Sequence, residues 1–392
     1  MTPPAKLPWT ELLLLWLAGL YLRLTVLVAP PLAPMIAADL DLGAAGLGAL
    51  TTVPVLMLSL VAIPAAWVIA RAGAGAAVVG CLAIIALASS ARGLAHDPLP
   101  LFAATAIMGA AIAVLQPALP ALLHQWTPAR LGLGTAVYMN GMLLGEIFSA
   151  GLTLPVVLPA AGGDWRVALL IWSLPALAVA IAIARRSRHH PRHTRDEGPW
   201  LPPLASPRLW RMGLLLGATG ALFFGTNAYM GAVLEARDET DLLGAGLIVM
   251  NGGQVAAAMV MLRLTGRLSG HRNAFLTASV LALLGLAGFL LLDGAIALAA
   301  AFSVGLFTGV TLILLVALPP RLAGRGATAP LAAGMFMIGY AIAFLVPTGG
   351  GLLAEVTGDA RTTLLPAFLY ALAVLPLIGG LLPLADEQAP AA

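Results

Sequence analysis

Residues 185–203 read RRSRHHPRHTRDEGPWLPP, and this stretch decides how the rest of the chain is divided. It is the longest polar segment. On either side of it lie long apolar runs cut by short turns. Six runs precede it, at approximately 11–36, 44–70, 74–92, 99–123, 131–158 and 165–184. Six follow, at approximately 208–233, 242–264, 272–292, 294–319, 327–353 and 361–384. A bilayer core of about 30 Å needs roughly 20 apolar residues per helix. The cuts fall at turn-forming or charged clusters such as Asp39–Gly43, Arg71–Gly75, His96–Pro98, Gly162–Arg166 and Gly358–Arg361. One cut, at Asp293–Gly294, has to divide a very long apolar run in two. Backbone amides in a bilayer must be satisfied within the segment, so helices are expected. The runs are too long and too uniform for the alternating ten-residue segments of a barrel. The expected fold is an all-α membrane protein of twelve transmembrane helices. Its first six-helix half is 1–184, its cytoplasmic linker 185–207, and its second half 208–392.

Composition excludes the main alternatives. Of 392 residues, 60% are hydrophobic and 9% charged, where a soluble domain carries about 25% charged residues. So few charges could not coat soluble domains of this size, and disorder or nucleic-acid binding is excluded on the same ground. Cys81 is the one cysteine, which rules out an intrachain disulfide or a multi-cysteine metal site. His189, His190 and His193 lie among the linker arginines and read as solvated basic chain. No metal and no cofactor is expected. Lys6 is the only lysine and no G-x-x-x-x-G-K-[ST] occurs, so there is no Walker site. No histidine-rich or paired-acid constellation lies within the spans, which argues against a membrane-embedded enzyme. The first span exceeds a signal-peptide apolar core and carries Arg23 in its middle, so it is expected to remain as a helix.

Lysine and arginine counts give the orientation. With the N-terminus in the cytoplasm, 15 of the 20 basic residues fall in cytoplasmic segments. Four fall outside, Arg92, Arg166, Arg237 and Arg361, together with Asp39, Asp41, Asp238, Glu239, Asp241 and Asp359. Both termini are therefore expected in the cytoplasm, with the protein in the inner membrane.

The halves echo each other. TPARLGLGTA at 127–136 resembles GRGATAPLAAG at 324–334, and Arg71 with Arg267 and Gly109 with Gly305 stand at a similar separation. A matching offset at several points indicates an internal repeat. Two six-helix repeats joined by a cytoplasmic linker describe the major facilitator architecture.

The chain resembles that superfamily in detail. Its span 2–3 loop motif, G-x-x-x-D-R-x-G-R-R, corresponds to residues 66–75 here, which keep Arg71 and Gly73 and lack the acid and the final arginines. The first helix, LYLRLTVLVAPPL at 20–32, is similar to the Asn-Leu-Arg-Pro…Gly-Pro-Leu helix of the cyanate/2-nitroimidazole transporter family. LGALTTVPV at 47–55 and QPALP at 116–120 resemble the same family. Tyr21 stands in place of the Asn, Leu24 in place of the Pro, and Glu146 lies in a normally glycine-rich fifth helix. The resemblance implies a secondary transporter that moves a small solute by rocking two halves about a central site. The solute class it implies is a small organic or inorganic anion, or a polar molecule of the cyanate or nitroimidazole kind.

Two charges stand inside spans, where an ionisable side chain costs about 2.5–3.5 kcal/mol. Arg23 and Glu146 lie about 12 and 15 residues into helices that start on the same side, hence at similar depth. The superfamily fold places those helices in one bundle beside the cavity. Two readings stand open: a structural ion pair locking the bundle, or Arg23 as a solute contact with Glu146 as counter-charge or proton-coupling site. Asn140, Asn227, Asn251, Tyr340 and Gln116 are the further substrate-binding candidates. Arg71 and Gly73 are the candidates for gating. Pro30, Pro31 and Pro34 are expected to break the outer end of the first span, and Pro117 and Pro120 to interrupt the fourth. Trp16, Trp67, Trp126, Trp172 and Trp210 include several near span ends, where anchoring in the membrane interface is the default. The expected partners are a small-molecule substrate, a proton and the lipid bilayer, with no nucleic acid, and the expected state is a monomer. The alternative function is a proton-driven exporter of drugs or organic cations.

Overall fold

The computed structural model describes residues 8–127, 131–187, 201–268, 270–322 and 328–381. The linker histidines, Lys6, Arg130 and Arg325 lie outside the described residues. The helices are α1 (Trp9–Leu40, in three segments), α2 (Ala44–Leu60 and Ala62–Ala72), α3 (Ala74–Arg92) and α4 (Pro98–Trp126). They continue with α5 (Leu131–Leu152, then Thr153–Val157 and Leu158–Ala160) and α6 (Trp165–Ser173 and Pro175–Ser187). The second six are α7 (Pro207–Glu235), α8 (Leu243–Leu268), α9 (Arg272–Leu291), α10 (Gly294–Val316), α11 (Thr328–Thr357) and α12 (Leu365–Val374). Eleven apolar stretches are long enough to cross a membrane, and the segment Ala44–Leu60 of α2 joins them as a shorter apolar helix. These are twelve transmembrane helices in two six-helix halves. No strand occurs among the described residues.

The turns follow from local chemistry. The long apolar run divides at Asp293–Gly294 because Gly294 adopts φ 59°, which favours glycine. Asp164 accepts from the backbone N–H of Arg166 at 2.7 Å and Asp359 from that of Arg361 at 2.9 Å, capping the starts of α6 and of the turn before α12. Arg237 donates to the carbonyls of Phe289 and Leu290 at 2.7 Å and of Leu292 at 2.9 Å. A residue expected in an outer loop thus caps the end of α9.

Small residues let the helices approach closely, as membrane packing favours. A Cβ on Gly109 of α4 would lie 2.6 Å from Cα of Pro54 of α2. Gly305 of α10 closes in the same way on the Met250 carbonyl of α8. Both glycines and both partners stand 196 residues apart, so one contact occurs in each half at one offset.

Three expectations need correction. Pro30 and Pro31 open the segment Ala29–Leu40 just past a break at Val28, but that segment runs on through Pro34. A further break of α1 lies earlier, at Tyr21–Arg23. Pro117 and Pro120 stand inside an unbroken α4, since the missing N–H groups leave the rest of a 29-residue helix bonded. Arg92 is the last residue of α3 and is buried rather than in a loop. Trp16 and Trp172 are half-buried and donate to Asn140 Oδ1 at 2.9 Å and to Thr153 Oγ1 at 3.0 Å.

At the end of the molecule that carries Asp39, the two halves touch. The backbone N–H of Ala45, in the first turn of α2, donates to Glu355 Oε1 of α11 at 2.9 Å. Tyr229 of α7 donates to the Pro347 carbonyl at 2.9 Å and lies against Gly48 of α2 and Gly351 of α11. Midway along, Ser59 donates to the Met337 carbonyl at 2.5 Å. At the opposite end Arg186 pairs with Glu11, and Arg211 donates to the Gly380 carbonyl at 2.6 Å.

Candidate functional site

The site begins at a fault in α1. Tyr21, Leu22 and Arg23 donate to carbonyls three residues back, those of Ala18, Gly19 and Leu20, at 3.2, 3.1 and 3.2 Å. Arg23 then leaves helical geometry at φ −129°, ψ −33°. A single turn, Leu24–Leu27, precedes Ala29–Leu40. The α5 backbone presses on α1 over the stretch that leads into this fault. Gly141 lies on the Trp16 carbonyl and Gly145 on the Leu20 carbonyl, and Gly19 faces the Tyr138 carbonyl in return. Gly141 and Gly145 form a G-x-x-x-G pair, which permits such an approach. Glu146 follows directly, so the contact that brings the helices together also brings its carboxylate to the fault.

Arg23 Nε lies 3.3 Å from Glu146 Oε1. The guanidinium carbon stands 5.3 Å from the centre of the Phe224 ring on α7, within cation–π range. Arg23 thus connects α5 of the first half to α7 of the second. Glu146 is 1% exposed, and neither carboxylate oxygen has a hydrogen-bond donor among the described residues. Its charge is balanced by Arg23 while its lone pairs stay open, an uncommon state for a buried carboxylate.

Three residues beyond Phe224, on the same face of α7, stands Asn227. Asn251 of α8 donates through Nδ2 to Asn227 Oδ1 at 3.0 Å and to the Leu247 carbonyl at 2.8 Å. Asn227 Nδ2 donates to the Phe223 carbonyl at 3.1 Å, and Asn251 Oδ1 is buried without a partner among the described residues. A line of polar groups therefore runs through four helices, from Glu146 through Arg23 and the Phe224–Asn227 face to Asn251. It offers guanidinium donors, an aromatic face and unpartnered acceptors.

The other candidates are placed differently. Asn140 is exposed and engaged by the Trp16 indole. Tyr340 is buried and stacks on Phe336 with ring centres 5.5 Å apart. Gln116 is half-buried in α4. Arg71 is exposed and lies over the Trp67 ring at 4.9 Å, and Gly73 makes the α2–α3 turn at φ 80°. Phe224 gave no sign in the sequence, because one more apolar residue in an apolar helix has no signature.

A family model described as Major Facilitator Superfamily matches residues 15–347. A 2-nitroimidazole transporter of Escherichia coli (strain K12) is 31% identical over 222 residues, 54% of this chain and 54% of that protein. The chain therefore spans about half the length of this relative. The uncharacterized transporter YycB of Bacillus subtilis (strain 168) is 24% identical over 273 residues, covering 69% and 67% of the two chains. Among solved structures, an inward-facing, unoccupied bacterial homologue of the human lysosomal transporter Spinster superposes with a TM-score of 0.73 at 15% identity. That superposition covers 99% of this chain and 100% of the other. The nucleoside transporter NupG superposes with a TM-score of 0.72 at 15% identity, covering 96% and 98%. Both structural likenesses bear on the fold.

Proposed function

The chain belongs to the Major Facilitator Superfamily, and from that premise we propose that it carries a small polar solute across the cytoplasmic membrane by alternating access. It is a multi-pass membrane transporter and not an enzyme. In this reading Arg23, Phe224, Asn227 and Asn251 hold the solute. Glu146 takes up and releases the coupling proton, and residues 185–207 join the halves on the cytoplasmic side. Tyr340, Asn140 and Gln116 flank the path, while Arg71 and Gly73 serve the α2–α3 turn as the halves rock.

The observation that carries this reading is the position of the Arg23 guanidinium, between the Glu146 carboxylate and the Phe224 ring. A group that touches both halves through an ion pair and a ring face feels every change in their separation. A solute entering there would compete with Glu146 for the guanidinium, which favours a polar or anionic group. An aromatic plane suits a flat solute. The 2-nitroimidazole named for the Escherichia coli relative combines both properties, and it is the first probe to use.

The experiment is uptake of labelled 2-nitroimidazole, cyanate and tetraphenylphosphonium into proteoliposomes, with and without a proton gradient. Uptake of one of the first two, driven by the gradient, is expected. Arg23→Ala should abolish it while the protein still inserts. Arg23→Lys should largely fail as well, because an ammonium lacks the planar fork. Wild-type flux in Arg23→Ala would remove Arg23 from the site. A second reading, export of organic cations, draws on the Glu146 carboxylate, whose oxygens have no donor among the described residues. Selective transport of tetraphenylphosphonium would establish that reading in place of the first.

A further inference from the structure

Arg92 closes α3 and is 2% exposed. No acid pairs with it among the described residues. A buried guanidinium without a counter-charge is costly and has to be held by hydrogen bonds. Arg92 Nη2 donates to the Thr25 carbonyl of α1 at 2.9 Å and to Ser89 Oγ at 2.6 Å. Ser89 Oγ in turn lies 2.6 Å from Ser173 Oγ of α6. Three helices of the first half meet at this one group.

The place it holds is the weakest stretch of α1. The turn Leu24–Leu27 has only four residues. It begins at Arg23, which has left helical geometry, and Pro30 and Pro31 follow it without N–H groups to give to the Val26 and Leu27 carbonyls. A single turn between two faults has little backbone bonding of its own to fix its direction. A charged donor on the Thr25 carbonyl supplies an anchor from outside the helix, and charge-assisted bonds are the stronger kind.

We propose that Arg92 is a positioning residue that fixes the broken turn of α1 and so sets where the Arg23 guanidinium lies. Its effect on the solute is indirect, passing through the backbone of Leu24 between Thr25 and Arg23. The proposal rests on the reading of Arg23 as the solute contact, and the test separates the two.

The test uses the full chain in a Cys81→Ala background with Leu22→Cys as a reporter in the fault. Leu22 is 3% exposed, so alkylation by N-ethylmaleimide should be slow. Arg92→Met should speed it by about tenfold at an unchanged melting temperature, as local opening does. Arg92→Lys, which retains a charged donor, should restore most of the protection. In the same proteins without the reporter, Arg92→Met should raise the KM for 2-nitroimidazole about tenfold with little change in maximal rate. If 2-nitroimidazole is not carried, the solute reading fails while the alkylation result still decides the role of Arg92. If Arg92→Met does not fold, Arg92→Gln takes its place, because it removes the charge while leaving a polar end in the buried site. A folded Arg92→Met or Arg92→Gln protein with wild-type alkylation of Leu22→Cys would overturn the proposal, and so would failure of Arg92→Lys to restore protection.

Discussion

Glu146 and Tyr340 each directly follow a glycine, Gly145 or Gly339, that closes on a leucine, Leu20 or Leu216, the first on a backbone carbonyl and the second on a side chain. Those leucines stand 196 residues apart, the offset that also relates Gly109 to Gly305, while the two glycines stand 194 apart. Beside these contacts one half carries a carboxylate and the other a phenol. Three residues past the leucines the pattern differs again, with Arg23 in the first half and Thr219 in the second. The Arg23–Glu146 ion pair thus has no counterpart at these positions of the second half.

Replacement of Glu146 by glutamine should therefore abolish the response of transport to a proton gradient while leaving exchange between equal pools. A coupling proton must bind with different affinity in the two states of the carrier, and an amide cannot bind it. Counterflow and gradient-driven uptake in the same vesicles separate these outcomes. If the pair is purely structural, Glu146→Gln leaves a buried arginine unpaired at a cost of about 3–5 kcal/mol, and expression falls. The double change Arg23→Met with Glu146→Leu would then recover stability. A stable Glu146→Gln protein with full proton-driven uptake would remove the coupling role.

Glycine substitutions should divide sharply. Gly305→Ala drives a methyl group into the Met250 carbonyl, where backbone has to move. Overpacking of that kind costs about 1–3 kcal/mol. Gly80→Ala meets nothing within 4 Å, so its melting temperature should equal or exceed that of the parent. Melting followed by fluorescence-detected size-exclusion chromatography distinguishes the two.

Asn251→Ala removes the donor that holds Asn227 Oδ1 and the acceptor Oδ1 that lacks a partner among the described residues. Loss of solute affinity by about tenfold is expected, with stability lowered by about 1–3 kcal/mol, because Asn227 Oδ1 is left buried without its donor. A binding measurement unchanged in Asn251→Ala would restrict the pair to joining α7 and α8.

The inside–inside topology predicts that Ser187→Cys and Glu239→Cys, in a Cys81→Ala background, react with impermeant maleimide from opposite sides of the membrane. Reaction of both from the same side would overturn the orientation drawn from the basic residues.

The helices were legible because each span is a long apolar run and each cut has a turn former, down to the Asp293–Gly294 pair. The meeting of Arg23 and Glu146 was legible in part: their similar depth followed from the sequence, and the superfamily resemblance implied that their helices share a bundle. Facing was not legible. A helix that is apolar all round carries no periodic mark of which side meets a neighbour, so Phe224 and the Trp16–Asn140 bond stayed hidden. Arg92 looked like a loop residue because it ends an apolar run, and its burial rests on the Thr25 carbonyl of α1 and on Ser89, contacts between helices that the sequence does not mark. The fault at Arg23 has no proline to mark it and follows directly on the stretch where the α5 glycines press on α1.

The bond from Ala45 to Glu355 joins the halves through a backbone amide on one side and a carboxylate on the other. The donor belongs to the peptide unit, so every side chain except proline leaves it in place. The first turn of α2 already reads Ala44, Ala45, Gly46 and Leu47, so an alanine scan there would pass over this tie between the halves. Glu355→Ala is the informative change, because it removes the acceptor.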